Sequence, residues 1–374
     1  MSKKYNKKED FAGISDMLEG RHHVIPIMAG EDGDMGENVV IPEVLPILTL
    51  RSSVLFPGSI TPITVGRDKS MKLVREVESG GSILGAVLQK ESEVEQPGPD
   101  DLYRVGTAAR ILKVLEMPNG NLTVILHGLD KIEIRDFIMT EPYFRASVAP
   151  LKDSIPEPTN IEFEALVDSI KDVALNIINI SPQMPKEATF AIKNIDNKRG
   201  TINFICSNMD LPDADRQRLL EAPGLLARAR RLLEILVREQ QIAELKNEIF
   251  SLCGVAPFNL NSPQQLGGVL FDTLGLPAKK KTARGYSTDA DTLGELAELH
   301  PAVEKILLYR QVAKLKSTYI DGLLRLTGRD GRIHTWFDQT IAATGRISSS
   351  EPNLQNIPVR TPMGREIRRA FIAP

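Results

Sequence analysis

Fifteen residues, Thr344-Gly-Arg-Ile-Ser-Ser-Ser-Glu-Pro-Asn-Leu-Gln-Asn-Ile-Pro358, hold one arginine, three serines, two asparagines and a glutamine between glycine and proline turn markers. Donors at this density on a shaped loop are hydrogen-bonding chemistry ready for a ligand rich in acceptors. The same Asn and Ser residues also suit satisfying the backbone of a turn. Upstream, Arg310, Lys314 and Ser317 stand at i, i+4 and i+7, one face of a helix. Two cations and a hydroxyl in that arrangement can follow a phosphate backbone, and they equally fit a solvated helix face. Lys279-Lys-Lys-Thr-Ala-Arg284 forms a cationic loop just ahead of Ser287, where a helix begins. Free N–H groups at such a start favour anions, while a purely solvating loop is the plainer alternative.

Several elements must position these residues. Val44–Leu50, Ile60–Val65, Ile83–Leu88, Val105–Leu115 and Leu122–Leu126 are apolar or β-branched runs separated by Gly/Pro/Asn turns, and they read as strands of a small β-barrel or sandwich. Asn119-Gly120 is the tip of a hairpin, and one helix covers Lys69 to about Glu78. From residue 159 the period becomes helical. Ile161, Leu166, Ile170, Val173, Ala174 and Ile177 predict one apolar face, which Pro182 and Pro185 interrupt. Another helix begins at Asp213 and breaks near Pro223-Gly224. A Leu/Arg/Glu-rich run then starts at Leu225. Ile235, Ile242 and Ile249 recur every seven residues, as in a coiled coil or the core stripe of a bundle helix. Ser262-Pro263 opens a further helix, Gly275 ends it, and a long one spans about Ala302–Leu324.

Residues 43–249 resemble the N-terminal region of Lon, the ATP-dependent protease. The resemblance is carried by Leu45-Pro-Ile-Leu-Thr-Leu-Arg-Ser-Ser-Val-Leu-Phe-Pro-Gly58, Val65-Gly-Arg-Asp-Lys-Ser70 and Pro97-Gly-Pro-Asp-Asp-Leu-Tyr-Arg-Val-Gly-Thr107, with His127-Gly-Leu129 on the following strand. It implies a PUA-like β-barrel, then a helical bundle with a long helix, in a region that recruits unfolded protein clients and supports self-association. Residues 250–374 resemble the thumb and first palm segment of family A DNA polymerases. That likeness rests on Phe258-Asn-Leu-Asn-Ser-Pro263, on Tyr309-Arg-Gln-Val-Ala-Lys-Leu-Lys-Ser-Thr-Tyr-Ile-Asp-Gly322, on the fifteen-residue loop and on Arg360-Thr-Pro-Met-Gly-Arg-Glu-Ile-Arg-Arg-Ala-Phe-Ile372. It implies that Arg332–Thr335 and Thr340–Thr344 are palm strands and that Asn261, Lys281, Ser287, Arg310, Lys314, Ser317, Arg346, Asn353, Gln355, Asn356 and Arg360 contact duplex or primer–template DNA. Arg346, with Gln355 nearby, would reach the minor groove. Acceptors there occupy similar positions on every base pair, so a donor checks pair shape without reading sequence.

The resulting fold class is multidomain α+β. The expected order is a disordered tail over 1–42, a barrel over 43–150, helices over 151–249, a thumb over 250–326 and a palm start over 327–374. The join is expected near Ala243–Phe250. Charge divides along the same line: 250–374 carries 16 basic against 11 acidic residues, the remainder 30 against 38. That polarity suits phosphate for the second part, though two unrelated solvated surfaces would look the same. Cys206 and Cys253 are too few for a disulfide framework, and a reducing cytoplasm is expected. Neither a signal peptide nor a membrane span is expected. No catalytic residue, metal ion or ATP is expected to act in this chain. No Gly-x-x-x-x-Gly-Lys-Ser/Thr loop occurs in it. The palm aspartates of the polymerase family correspond to positions past Pro374, and no segment resembles the Lon Ser-Lys site. The expectation is a non-catalytic composite, a natural fusion or an assembled chimera, although either parent's name, polymerase or protease, could be inherited from one half.

Overall fold

The computed structural model describes residues 39–80, 83–181, 187–278, 281–282, 285–314, 322–326, 332–340, 344–357 and single positions at 365, 368, 369 and 371. The chain divides into two compact units, Met1–Arg238 and Glu239–Pro374.

The first unit opens with six strands: β1 (Val44–Leu50), β2 (Ile60–Val65), β3 (Ile83–Leu88), β4 (Val105–Glu116), β5 (Leu122–Met139) and β6 (Phe144–Pro150), with helix α1 (Asp68–Gly80) between β2 and β3. The sheet order is β2-β5-β4-β3-β1-β6, and β5 also pairs with β6. Only β1 and β3 run parallel; the other pairs are antiparallel, so the sheet is mixed. Strand β5 makes this closure. One edge pairs with β4 over residues 122–133, while the other takes β2 over 122–127 and β6 over 132–139. A ring β5-β4-β3-β1-β6 results, with β2 outside it.

Strand alternation sorts side chains between two cores. Leu45, Ile47, Val87, Ala108, Ile132, Ile134, Phe144 and Val148, from all five ring strands, pack together. Leu48, Leu50, Leu84, Ala86 and Leu88, on the opposite faces of β1 and β3, pack with Leu73, Val74 and Val77 of α1 and with the helices that follow. Covering both faces explains why these strands read as nearly continuous apolar runs. At Gly128 a β-carbon would lie 2.3 Å from the Phe56 carbonyl oxygen, so only glycine lets the 56–59 turn sit against β5. Gly58 N donates to Gly128 O and Gly128 N to Ser59 O, both at 2.9 Å.

Helices α2 (Ile161–Ile180), α3 (Glu187–Asn194), α4 (Lys198–Asn208), α5 (Asp213–Glu221) and α6 (Leu225–Cys253) follow. Asn160 caps α2 by accepting from Phe163 N at 2.9 Å. Ile170, Ala174 and Ile177 are buried as the period requires. Ile161 is not: at the first turn, it is 83% exposed, and Phe163 and Val167 take the inward positions. Pro182 and Pro185 lie outside the described residues. In α6, Ile235 joins the first unit's core, while Ile242 and Ile249 join the second unit's. The seven-residue stripe is therefore an intrachain core stripe.

A buried polar network ties the strands to the helices of this unit. Arg228 in α6 is fully buried and donates to Leu219 O at 2.8 Å, Asn203 Oδ1 at 2.9 Å and Asp153 at 2.9 Å. Asp153 also receives Lys131 Nζ of β5 at 2.6 Å, and Lys131 donates to Ala222 O at 2.8 Å. Asn203 Nδ2 reaches back to Pro57 O at 2.9 Å.

The second unit holds the end of α6, then α7 (Pro263–Gly267) continued by a wider π-helical turn over Gly268–Thr273, the ribbon β7 (Lys281–Thr282) and β8 (Gly285–Tyr286), α8 (Ala290–Leu296), α9 (Pro301–Lys314), α10 (Gly322–Arg325), and the pair β9 (Trp336–Asp338) and β10 (Ser348–Ser350). Ser262 caps α7 through Gln265 N, and Gly275 leaves the wider turn at φ 66°. Its core gathers Leu260, Leu266, Leu270, Leu293, Leu296, Val303, Ile306 and Tyr309 around Ile242 and Ile249. The expected palm strands are displaced. Thr335 is a loop residue whose hydroxyl donates to Ser350 O and Pro352 O, and pairing occurs at 336–338 with 348–350. Of Thr340–Thr344, residues 341–343 lie outside the described set.

Candidate nucleic-acid interface

Two parts of the second unit carry the expected contact residues. In the first, the ribbon β7–β8 pairs Lys281 with Tyr286 and Thr282 with Gly285. Tyr286 packs its ring tilted against Phe271, centroids 4.7 Å apart, and its hydroxyl donates to Asp272 Oδ1 at 2.8 Å. That hydrogen bond to a carboxylate, and its charge, push the Tyr286 phenol pKa up. Immediately after the ribbon, Ser287 is buried and donates to Asp289 Oδ2 at 2.8 Å. Asp289 is the N-cap of α8: its Oδ1 accepts from Thr292 N at 2.8 Å. The helix start expected to attract anions thus already holds a carboxylate.

On α9, Arg310 turns back toward this loop. Its Nη1 donates to Thr288 O and its Nη2 to Thr288 Oγ1 at 3.2 Å. Half-burial lowers the guanidinium pKa below its usual value. Lys314, one turn on, is exposed; Ser317 lies outside the described residues. Neighbouring Tyr309 is buried, its side chain hydrogen-bonded with that of Asn261, and Lys246 Nζ sits 5.9 Å from its ring centre. Burial raises the Tyr309 phenol pKa, with the Asn261 bond and Arg310 pulling the other way. Asn261 therefore faces α9.

The second part is the loop that flanks β10. Arg346 is exposed and follows Gly345 at φ 72°. Gln355 donates from Nε2 to Ile347 O, the carbonyl one residue past Arg346. Asn353 caps the short 3-10 turn Leu354–Asn356, accepting from Gln355 N at 3.1 Å, and Ser349 Oγ accepts from Leu354 N at 3.1 Å. These bonds satisfy turn backbone and tie the Leu354–Asn356 turn to β10 and to Ile347. Nothing is described of the Lys281 and Asn356 side chains, or of Arg360 as a whole. Sequence reasoning did not single out Asp272, Thr288 or Lys246. Their roles depend on tertiary contacts that no spacing rule signals.

The first unit has a cleft of about 690 Å³ between the start of α1, the Glu95–Pro99 loop and the Thr140–Phe144 turn. Arg67 crosses it, donating to Gln89 Oε1 at 2.7 Å and Val94 O at 3.1 Å, and Lys69 pairs with Glu141 over the Phe144 ring. Among the described residues no three His, Cys, Asp or Glu side chains gather as a metal would need. Nor is any described helix long and apolar enough to cross a membrane.

A two-unit molecule, one unit a mixed ring of strands braced by helices and the other mostly helical, combines two known segment types. Residues 44–238, just over half of the chain, match the ATP-dependent protease La (LON) substrate-binding domain, and the chain belongs to that family. Residues 234–374 match DNA polymerase family A, so a polymerase segment follows the Lon N-terminal substrate-binding domain in one chain. The two matches overlap at 234–238, inside α6. The Lon protease of Flavobacterium johnsoniae is 43% identical over 282 residues, covering 71% of this chain and 34% of that protein. DNA polymerase I of Lactococcus lactis subsp. lactis is 43% identical over 222 residues, covering 59% of this chain and 24% of that protein. The POL domain of Pol1 from M. smegmatis, solved in complex with DNA primer-template and dNTP, is 36% identical over 57% of this chain and 41% of its own, with a TM-score of 0.36. This chain thus spans about a third of the Lon relative and about a quarter of the polymerase.

Proposed function

We propose that the chain is a binding protein without its own chemistry, in which the first unit recruits unfolded protein segments and the second holds duplex or primer–template DNA without sequence preference. The observation that carries the DNA reading is the loop around β10, where an exposed Arg346 stands just before the strand and Gln355 of the following turn donates to the carbonyl of the next residue, Ile347. An arginine and a glutamine on one loop suit minor-groove acceptors common to all base pairs. Lys314 and the basic balance of 250–374 support a phosphate-following role for the neighbouring surface. Client recruitment is supported by membership in the Lon substrate-binding family and by the cleft beside α1. We read the ring of strands as the PUA-like barrel of that family, α2–α6 as its helical region, and the cytoplasm as the place of action.

Titration of labelled duplex with the full chain at low and high salt tests the DNA reading. Binding should weaken steeply with salt; no binding at low salt, or binding that ignores salt, overturns it. For client recruitment, the full chain should retain chemically unfolded protein above an inert control, and equal retention ends that reading. Primer extension with Mg²⁺ addresses the absence of chemistry. Robust extension by the purified chain refutes it.

A further inference from the structure

Arg310 is the cation that spacing on α9 marks most plainly for a phosphate, yet its side chain is committed inside the protein. Both terminal guanidinium nitrogens donate to one residue, the carbonyl and the hydroxyl of Thr288. Thr288 is buried and stands between the ribbon and α8. On one side is Tyr286, pinned to Asp272 and paired with Lys281. On the other is Asp289, which caps α8 and receives the Ser287 hydroxyl. Two side-chain hydrogen bonds thus cross-link this segment to the rest of the unit, Asp272–Tyr286 from the wider turn and Arg310–Thr288 from α9. A guanidinium fork satisfying two acceptors of one residue fixes that residue's orientation as well as its position, which a lysine ammonium cannot do.

We infer that Arg310 is a positioning residue, fastening the Tyr286–Asp289 segment to α9, and that the phosphate contact of this helix is made by Lys314 and not by Arg310. The inference rests on the DNA-binding reading above for its second half only; the fastening is a property of the folded unit.

Salt dependence separates the two roles. Each phosphate contact contributes about 0.9 to the slope of log affinity against log salt. The full chain, R310Q, R310K and K314Q would be titrated with labelled duplex from about 50 to 200 mM salt, alongside hydrogen exchange of amides in 290–296. K314Q should lower the slope by about one with exchange unchanged. R310Q should weaken binding about tenfold with the wild-type slope, and accelerate exchange in α8. R310K keeps the charge but loses the fork, so it should behave like R310Q. If R310Q lowers the slope by about one while α8 protection stays wild-type, or if R310K binds like wild type, the inference is wrong. If R310Q does not fold, R310K alone decides by the same two readouts. Should wild type bind no DNA, the binding reading falls, and exchange in α8 of R310K still judges the fastening: unchanged protection overturns it.

Discussion

Replacing Arg228 by methionine removes a fully buried charge while keeping most of the side chain's volume. Three acceptors lose their donor: Asp153, Asn203 Oδ1 and Leu219 O, all within 2.8–2.9 Å. Asp153 retains Lys131 Nζ at 2.6 Å, so its charge is not stranded entirely. Breaking a buried ion pair by deleting one partner costs roughly 3–5 kcal/mol, and each orphaned buried acceptor roughly 1–3 kcal/mol. These overlap, because Asp153 is counted in both and Lys131 remains, so about 4 kcal/mol is expected for R228M. Against a usual domain stability of roughly 5–15 kcal/mol that is a large fraction. The assay is native-state hydrogen exchange of slow amides in β4 and β5, whose opening reports global unfolding of the first unit. The sole tryptophan, Trp336, lies in the second unit and cannot report on it. R228M should raise those exchange rates by about a thousandfold, with D153N at least as damaging because it leaves two buried cations facing each other. A change below about threefold in R228M would mean that the network is energetically neutral and that the packing around it carries the stability.

Gly128→Ala should destabilise the first unit by about 1–3 kcal/mol in a thermal melt, since its β-carbon meets the Phe56 carbonyl; an unchanged melting temperature contradicts that clash. Burial, aided by Arg110, lowers the His127 pKa below its ordinary 6.5, so the unfolded chain binds the extra proton first. Stability from this group is present above about pH 6.5 and declines as pH falls toward the lower folded value, and H127Q should flatten that part of the pH–stability curve. Burial pushes the Cys206 thiol up to about 12, leaving about one thiolate in ten thousand at pH 8, so alkylation of Cys206 in the native protein, read by peptide mapping, should be negligible until it unfolds. Amides of β9 and β10, a pair three residues long beside exposed Trp336 and Phe337, should exchange much faster than those of β4 and β5; equal protection would show support for the pair beyond its own two strands.

The apolar runs on β1 to β3 and the cap and stop around α7 were legible because each is a local signal: alternation, Ser-Pro at a helix start, glycine at its end. The far half of β5 was harder. Lys131-Ile-Glu-Ile-Arg135 alternates cleanly, but His127-Gly128 before it reads as a strand end. In the fold that glycine is where the 56–59 turn presses against a continuous strand. Strand β6 does alternate, in Phe144-Arg-Ala-Ser-Val148, but the run is short and starts just past Pro142; the parallel β1–β3 pairing has no local marker and is settled by closure of the ring. Around the candidate interface, only the family resemblance singled out Arg346 and Gln355, and Arg310 could not be distinguished from a solvent-facing cation. Its partner Thr288 lies 22 positions away. Arg228 poses the same problem among Arg228, Arg230 and Arg231, three cations in one helical turn of which only the first is fully buried.

The separation of Asp153 and Arg228 along the chain has a consequence for synthesis. The ring of strands is complete at Pro150, yet the carboxylate just beyond it gains its second cation only 75 residues later. At about 5–20 residues per second, the ribosome leaves this site half-built for about 4–15 seconds. During that interval the nascent strands have Lys131 as a counterion but no α6 against them. A pause, or a message broken between those codons, would release a product whose strands are all present and whose interior is still open to water, the kind of species a cell's quality-control machinery removes.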